Sequence, residues 1–146
     1  MPVEVDFHPQ AFAEFFAPVD LQFPGLSAVL RAEFLRYMVS ARLDLPSIFG
    51  RDAPYTQPAL ALQVGLMHIH IKIPPAKFPS HVPQGDRVCR RGRPNEDVAL
   101  VYTSGELYED RHILLAVLWP HAHAKAREEA LMRHLSRLAK DWKEQN

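Results

Sequence analysis

The chain has almost nothing with which to cross-link itself, cross a membrane or cradle a nucleotide. Cys89 is its one cysteine in 146 residues, which excludes an internal disulfide framework and fits a reducing cytoplasm. No apolar run approaches the ~18–20 residues of a membrane span, and the N-terminus lacks a basic stretch leading into an apolar one. No Gly-rich nucleotide loop is present. Charge of one sign is lacking too. Lys+Arg and Asp+Glu both number 17, so the net is zero, whereas proteins that grip free nucleic acid are usually basic. What is present suits a soluble globular protein: 47% hydrophobic and 23% charged residues, enough for one domain over residues 1–146 without staples.

The balanced charge is unevenly spread. Residues 1–50 hold three basic and six acidic side chains, and residues 51–146 hold fourteen and eleven. A surface for a polyanion therefore belongs to the second two thirds. The neutral total fits a substrate that something else has already positioned.

Val3, Val5 and Phe7 alternate with Glu4 and Asp6, the period of a half-buried strand. Ala11 to Phe16 reads as a short helical turn stopped by Pro18. The Phe-rich segment from Phe12 to Phe23 suits either a partner surface or core. Ser27 can cap a longer helix whose Leu30, Phe34, Tyr37, Met38 and Ala41 share one face. Residues 44–58 read as a Pro-punctuated loop, and Leu60 to Ile73 as a strand or strand pair with a bulge or bend at Gly65. Pro74 to Pro94, with five prolines and two glycines, is expected to be a long surface loop. Val98–Ser104 and His112–Trp119 form an antiparallel hairpin in this reading. A final helix from about Ala122 to Lys143 carries the stripe Leu131, Leu135, Leu138 and Trp142.

On a strand, His68, His70 and Lys72 share one face while Ile69, Ile71 and Ile73 take the other. Imidazoles titrate near neutrality and suit proton transfer or a phosphate. The same His-x-His pair could be half of a zinc site, although Cys89 is the only thiol and no nearby carboxylate is spaced to complete it. It could also be inert surface. Arg87, Arg90, Arg91 and Arg93 crowd the next strand entry beside Asn95, where planar guanidinium forks suit phosphate oxygens, as would a merely solvated loop. His121 and His123 follow Pro120 at the start of the last helix, with Arg127 one turn beyond. Arg51 and Asp52 in Phe49-Gly50-Arg51-Asp52 look like turn locks, and Tyr102 like core or rim packing.

Three blocks carry a family likeness. They are Leu45-Pro46-Ser47-Ile48-Phe49-Gly50-Arg51-Asp52-Ala53-Pro54-Tyr55, His68-Ile69-His70-Ile71, and Arg93-Pro94-Asn95-Glu96-Asp97-Val98-Ala99-Leu100-Val101-Tyr102 running on to Pro120, His123 and Arg127. In that order they resemble the YafO family of bacterial toxins, with a weaker match at Ala32-Glu33-Phe34. The resemblance implies an α+β, RelE-like fold: a small antiparallel sheet (strand, helices, three strands, C-terminal helix) with helices packed on one face. It also implies ribosome-dependent mRNA cleavage and neutralisation by an antitoxin, while the residues themselves call for no cofactor. The matching polar positions are Arg51, Asp52, His68, His70, Arg93, Asn95, His123 and Arg127. Residues 1–25 depart from the pattern and read as an N-terminal extension.

Together these residues suggest a metal-free ribonuclease in which a ribose 2′-OH attacks the adjacent phosphate. His68 or His70 would be the base, Arg93 with Arg127 the phosphate clamp and His123 the acid. Lys72, Arg87, Arg90, Arg91 and Asn95 would hold RNA phosphates, and Arg51 and Asp52 would support the site. The rivals are a ribosome-binding inhibitor that cuts nothing and a zinc hydrolase.

Overall fold

In the computed structural model, which describes residues 2–146, the two most apolar strands lie at the middle of the sheet. β4 (Ala99–Ser104) and β5 (Arg111–Leu118) pair antiparallel, and nearly every residue of both is buried. β3 (Met67–Ile71) pairs with β4, and β2 (Phe49–Pro54) closes that side, both antiparallel. On the other side β1 (Glu4–Phe7) runs parallel to β5, giving the order β1-β5-β4-β3-β2. The sheet is therefore mixed, not wholly antiparallel as expected.

Helices cover both of its faces, which corrects the expectation of one. α1 (Pro9–Phe15), α2 (Ala17–Gln22) and α3 (Leu26–Val39) lead in from β1. Leu30, Phe34 and Tyr37 of α3 pack with Val5, Ile69, Ile71, Leu100, Tyr102 and Leu114 in one core cluster. Val101, Ile113 and Leu115 face the other way, onto α4 (Ala59–Val64) and onto Met132, Leu135 and Leu138 of α6 (Glu129–Lys143). Strands buried on both faces read as unbroken apolar runs, as residues 98–101 and 113–118 do.

The Phe-rich segment is core: Phe16 is fully buried, and Phe12, Phe15 and Phe23 pack against the same cluster. Pro18 does not end a helix but sits in the first turn of α2, where its missing N–H costs nothing. Ser27 is no cap either; its N–H donates to Asp20 Oδ1 at 2.8 Å, and Gly25 occupies the cap position.

Two stretches differ from their expected form for local reasons. Residues 60–64 are helical, and Gly65 at φ +68° ends that helix in the left-handed region, a common glycine role that a bulge reading overlooks. Residues 49–54, expected as loop, form an edge strand, the place where a proline such as Pro54 is tolerated. No side chain fits at Gly50, because a Cβ there would run into the Arg87 carbonyl and the Phe78 ring.

Beneath this edge lies a polar knot. Asp52, its carboxylate 8% exposed, accepts from Tyr37 Oη at 2.8 Å, Tyr102 Oη at 2.6 Å and Arg42 Nε at 3.2 Å. Gln84 donates to Tyr37 Oη at 2.8 Å, fastening the long loop to the knot. Burial pushes the Tyr37 hydroxyl up to about 12, so it stays protonated as a donor. Arg51 Nε donates to Gly85 O at 2.7 Å. Among the described residues no helix is long and apolar enough to cross a membrane.

Candidate functional site

Strand alternation in β3 buries Ile69 and Ile71 against α3 and turns His68 and His70 to the opposite face. Tyr55, just past β2, stacks on His68 with ring centroids 4.0 Å apart. The third ring comes from far along the chain, where His123 stands on the short helix α5 (Ala122–Lys125). The His70 ring lies between the others, 5.6 Å from that of His68 and 5.7 Å from that of His123. Around them Asp97, Val98, Ala99, Ala122 and Ala126 complete a cavity of about 50 Å³.

Each of two rings is held in one tautomer. The Cys89 N–H donates to His70 Nδ1 at 2.9 Å, which leaves the ring proton of neutral His70 on Nε2. Asp97, 2% exposed, accepts from His123 Nδ1 at 2.6 Å, and a carboxylate can only accept, so Nε2 of a neutral His123 is bare. His68 Nδ1 is buried without a hydrogen-bond partner. Burial, before any neighbouring charge, pushes both His68 and His70 down to about 4, and the other imidazoles add to the effect at His70. Both rings are therefore neutral at pH 7.

His112, bonded to Ser104 Oγ at 2.7 Å on the other face, is also lowered to about 4 by burial. A pH dependence of stability follows. The unfolded chain protonates these three rings below their ordinary value of 6.5, and the fold protonates them only near 4. Between those values the unfolded state binds more protons, so this contribution is complete above pH 6.5 and shrinks as the pH falls toward 4. The Tm is expected to fall steadily from about pH 6.5 to pH 4.5 in scanning calorimetry. A flat Tm across that window would contradict the burial of these rings.

The segment from Arg87 to Val98 also walls a groove of about 660 Å³ lined by Lys72, Lys77, Arg90, Arg91 and Arg93, with Asp86 and Glu96. His68 and His70 of β3 line the cavity, and Lys72, the residue that follows β3, lines the groove. Lys72, Lys77, Arg90 and Arg91 enter no ion pair among the described residues. Unpaired cations on a concave wall favour a polyanion.

Not every residue singled out in the sequence joins these sites. Arg87 is 6% exposed, and its guanidinium donates to the carbonyls of Val82, Phe49 and Ser80. It pins the loop and is not free to hold a phosphate. Arg93 lines the groove and not the imidazole cavity, with Nε 3.7 Å from Glu96. Asn95 Oδ1 accepts from Trp119 Nε1 at 2.8 Å, anchoring the loop. Arg127 does not share a helical face with His123, because α5 stops at Lys125 and α6 begins at Glu129. The sequence reading missed Asp97 and Tyr55. An acid immediately before a buried strand was the available signal for Asp97, but no spacing rule links position 97 to position 123.

Residues 35–144 match the model of a family described as toxin YafO of type II toxin–antitoxin systems. The chain belongs to the YafO toxin family. A curated relative, the "mRNA interferase toxin YafO" of Escherichia coli (strain K12), is 31% identical over 118 residues, covering 78% of this chain and 83% of that protein. No solved structure matches. The YafO match takes in every residue lining the cavity and the groove, and leaves out β1, α1, α2 and the first turns of α3. Among the described residues, no three His, Cys, Asp or Glu side chains are grouped to hold a metal ion.

Proposed function

We propose that this YafO-family chain is a RelE-like, ribosome-dependent mRNA endonuclease, held in check by a cognate antitoxin, whose imidazole cavity performs the cut. The observation that carries this reading is the gathering of His68, His70 and Asp97-bound His123, together with a groove whose Lys72, Lys77, Arg90 and Arg91 enter no ion pair among the described residues. The relative's printed name supports it. The zero net charge fits an RNA delivered by the ribosome, since little long-range attraction draws free RNA in.

Neutral His68 takes the ribose 2′-OH proton, and the 2′-oxygen attacks the adjacent phosphorus. The bond to the 5′-oxygen breaks as that oxygen takes a proton from Nε2 of the His123 imidazolium. His70, between the two, donates its Nε2–H to a non-bridging phosphate oxygen. Lys72, Lys77, Arg90, Arg91 and Arg93 hold the flanking phosphates. Arg51 and Asp52 stand behind the site as fastenings of β2, and Arg127 is left to contact RNA outside the cavity.

The chemistry is tested by the ends it leaves. Cut RNA is expected to carry a 5′-OH, labelled directly by a polynucleotide kinase, and a 2′,3′-cyclic phosphate. A 5′-phosphate on the downstream fragment would point to water or hydroxide as the nucleophile and overturn this mechanism.

A further inference from the structure

We infer that Asp97 is a positioning residue: its carboxylate fixes His123 in the Nδ1–H tautomer. This deepens the reading above and rests on it for the reaction, but not for the tautomer. Asp97 is 2% exposed and sits at the junction of the loop and β4, where a carboxylate needs protein donors. Its donors come from one short stretch of chain. Oδ1 takes the His123 ring proton at 2.6 Å, and both carboxylate oxygens lie 3.3 Å from the His123 N–H. Its own carbonyl accepts from the Ala122 N–H at 3.0 Å. The loop thus holds the imidazole and the backbone beneath it together.

A plain helix cap would need only the backbone contacts. The additional ring bond decides which nitrogen faces the cavity. When the imidazolium gives up its Nε2 proton, the Nδ1–H to Asp97 is already in place, so the ring ends in its resting tautomer without rearranging. The same loop fixes His70 through the Cys89 N–H, so one segment sets the tautomers of two of the three rings.

Nitrogen-15 NMR of the wild-type chain, at a pH where His123 is neutral, reads the tautomer without any RNA. Expected are a protonated Nδ1 and a bare, pyridine-like Nε2; the reverse pattern overturns the inference. In Asp97→Asn the side-chain amide can donate to the ring, and the signal is expected to move toward Nε2–H. Cleavage should fall by ~10²-fold or more, within the range for disabling an acid or base, with no comparable loss when the same change is made in His123→Gln. An equal loss in both backgrounds would make Asp97 a structural residue only. Asp97→Glu, which keeps the carboxylate, should recover part of the activity. If the wild-type chain shows the expected tautomer yet cuts no RNA, the proposed function fails and the tautomer assignment stands.

Discussion

Replacing His123 by alanine is expected to lower RNA cleavage by ~10²–10⁴-fold, the usual cost of losing one acid or base. The side chain is 30% exposed, so its removal opens no large hole in the core. Asp97 keeps the His123 backbone N–H at 3.3 Å as a donor, which limits the cost of stranding its carboxylate. Stability and ribosome co-sedimentation should therefore change little while the single-turnover rate collapses. His68 and His70 cannot take over the acid role, because both rings, pushed down to about 4, are neutral and not imidazolium at pH 7. Unchanged cleavage in His123→Ala would remove His123 from the reaction.

The second large effect lies in the groove. A triple variant, Lys72→Gln, Arg90→Gln and Arg91→Gln, removes three cations that have no ion-pair partner among the described residues. Each phosphate contact to single-stranded RNA contributes a salt slope of about 0.7, worth about fourfold in affinity near 0.15 M salt. The triple variant should lose roughly fiftyfold in kcat/KM, and its dependence on log salt should flatten by about 2. The single-turnover rate at saturating substrate should stay close to wild type. A rate loss with an unchanged salt slope would mean that these side chains do not meet phosphate. Arg87→Gln makes a useful contrast: its three carbonyl contacts are internal, so it should lower the Tm and leave the salt slope alone.

Legibility in the sequence followed the strength of local periodicity. Val5 between Glu4 and Asp6, and the Leu30–Phe34–Tyr37 face of α3, announce their elements because one side of each is buried and the other wet. The parallel pairing of β1 does not show, because register depends on a partner more than a hundred residues away. Residues 60–64 form an apolar run too short to distinguish helix from strand, and only the left-handed Gly65 settles it. In the site, alternation along β3 places His68 and His70 together, since that follows from strand geometry alone. Bringing His123 to them requires the chain to cross β4 and β5 and turn at Pro120, which no motif encodes. Asp97 was hidden for the same reason, its partner lying 26 residues away. The arginine cluster looked uniform in sequence, yet burial divides it into the pinned Arg87 and the solvent-facing Arg90, Arg91 and Arg93.

The most direct measurement adds the purified chain to a cell-free translation reaction and maps RNA ends by primer extension, with the same RNA lacking ribosomes alongside. New ends only in the translating reaction are expected, as a ribosome-dependent endonuclease requires. Arrested translation with intact RNA would contradict this, leaving an inhibitor that binds the ribosome without cutting and a histidine cavity with some other purpose.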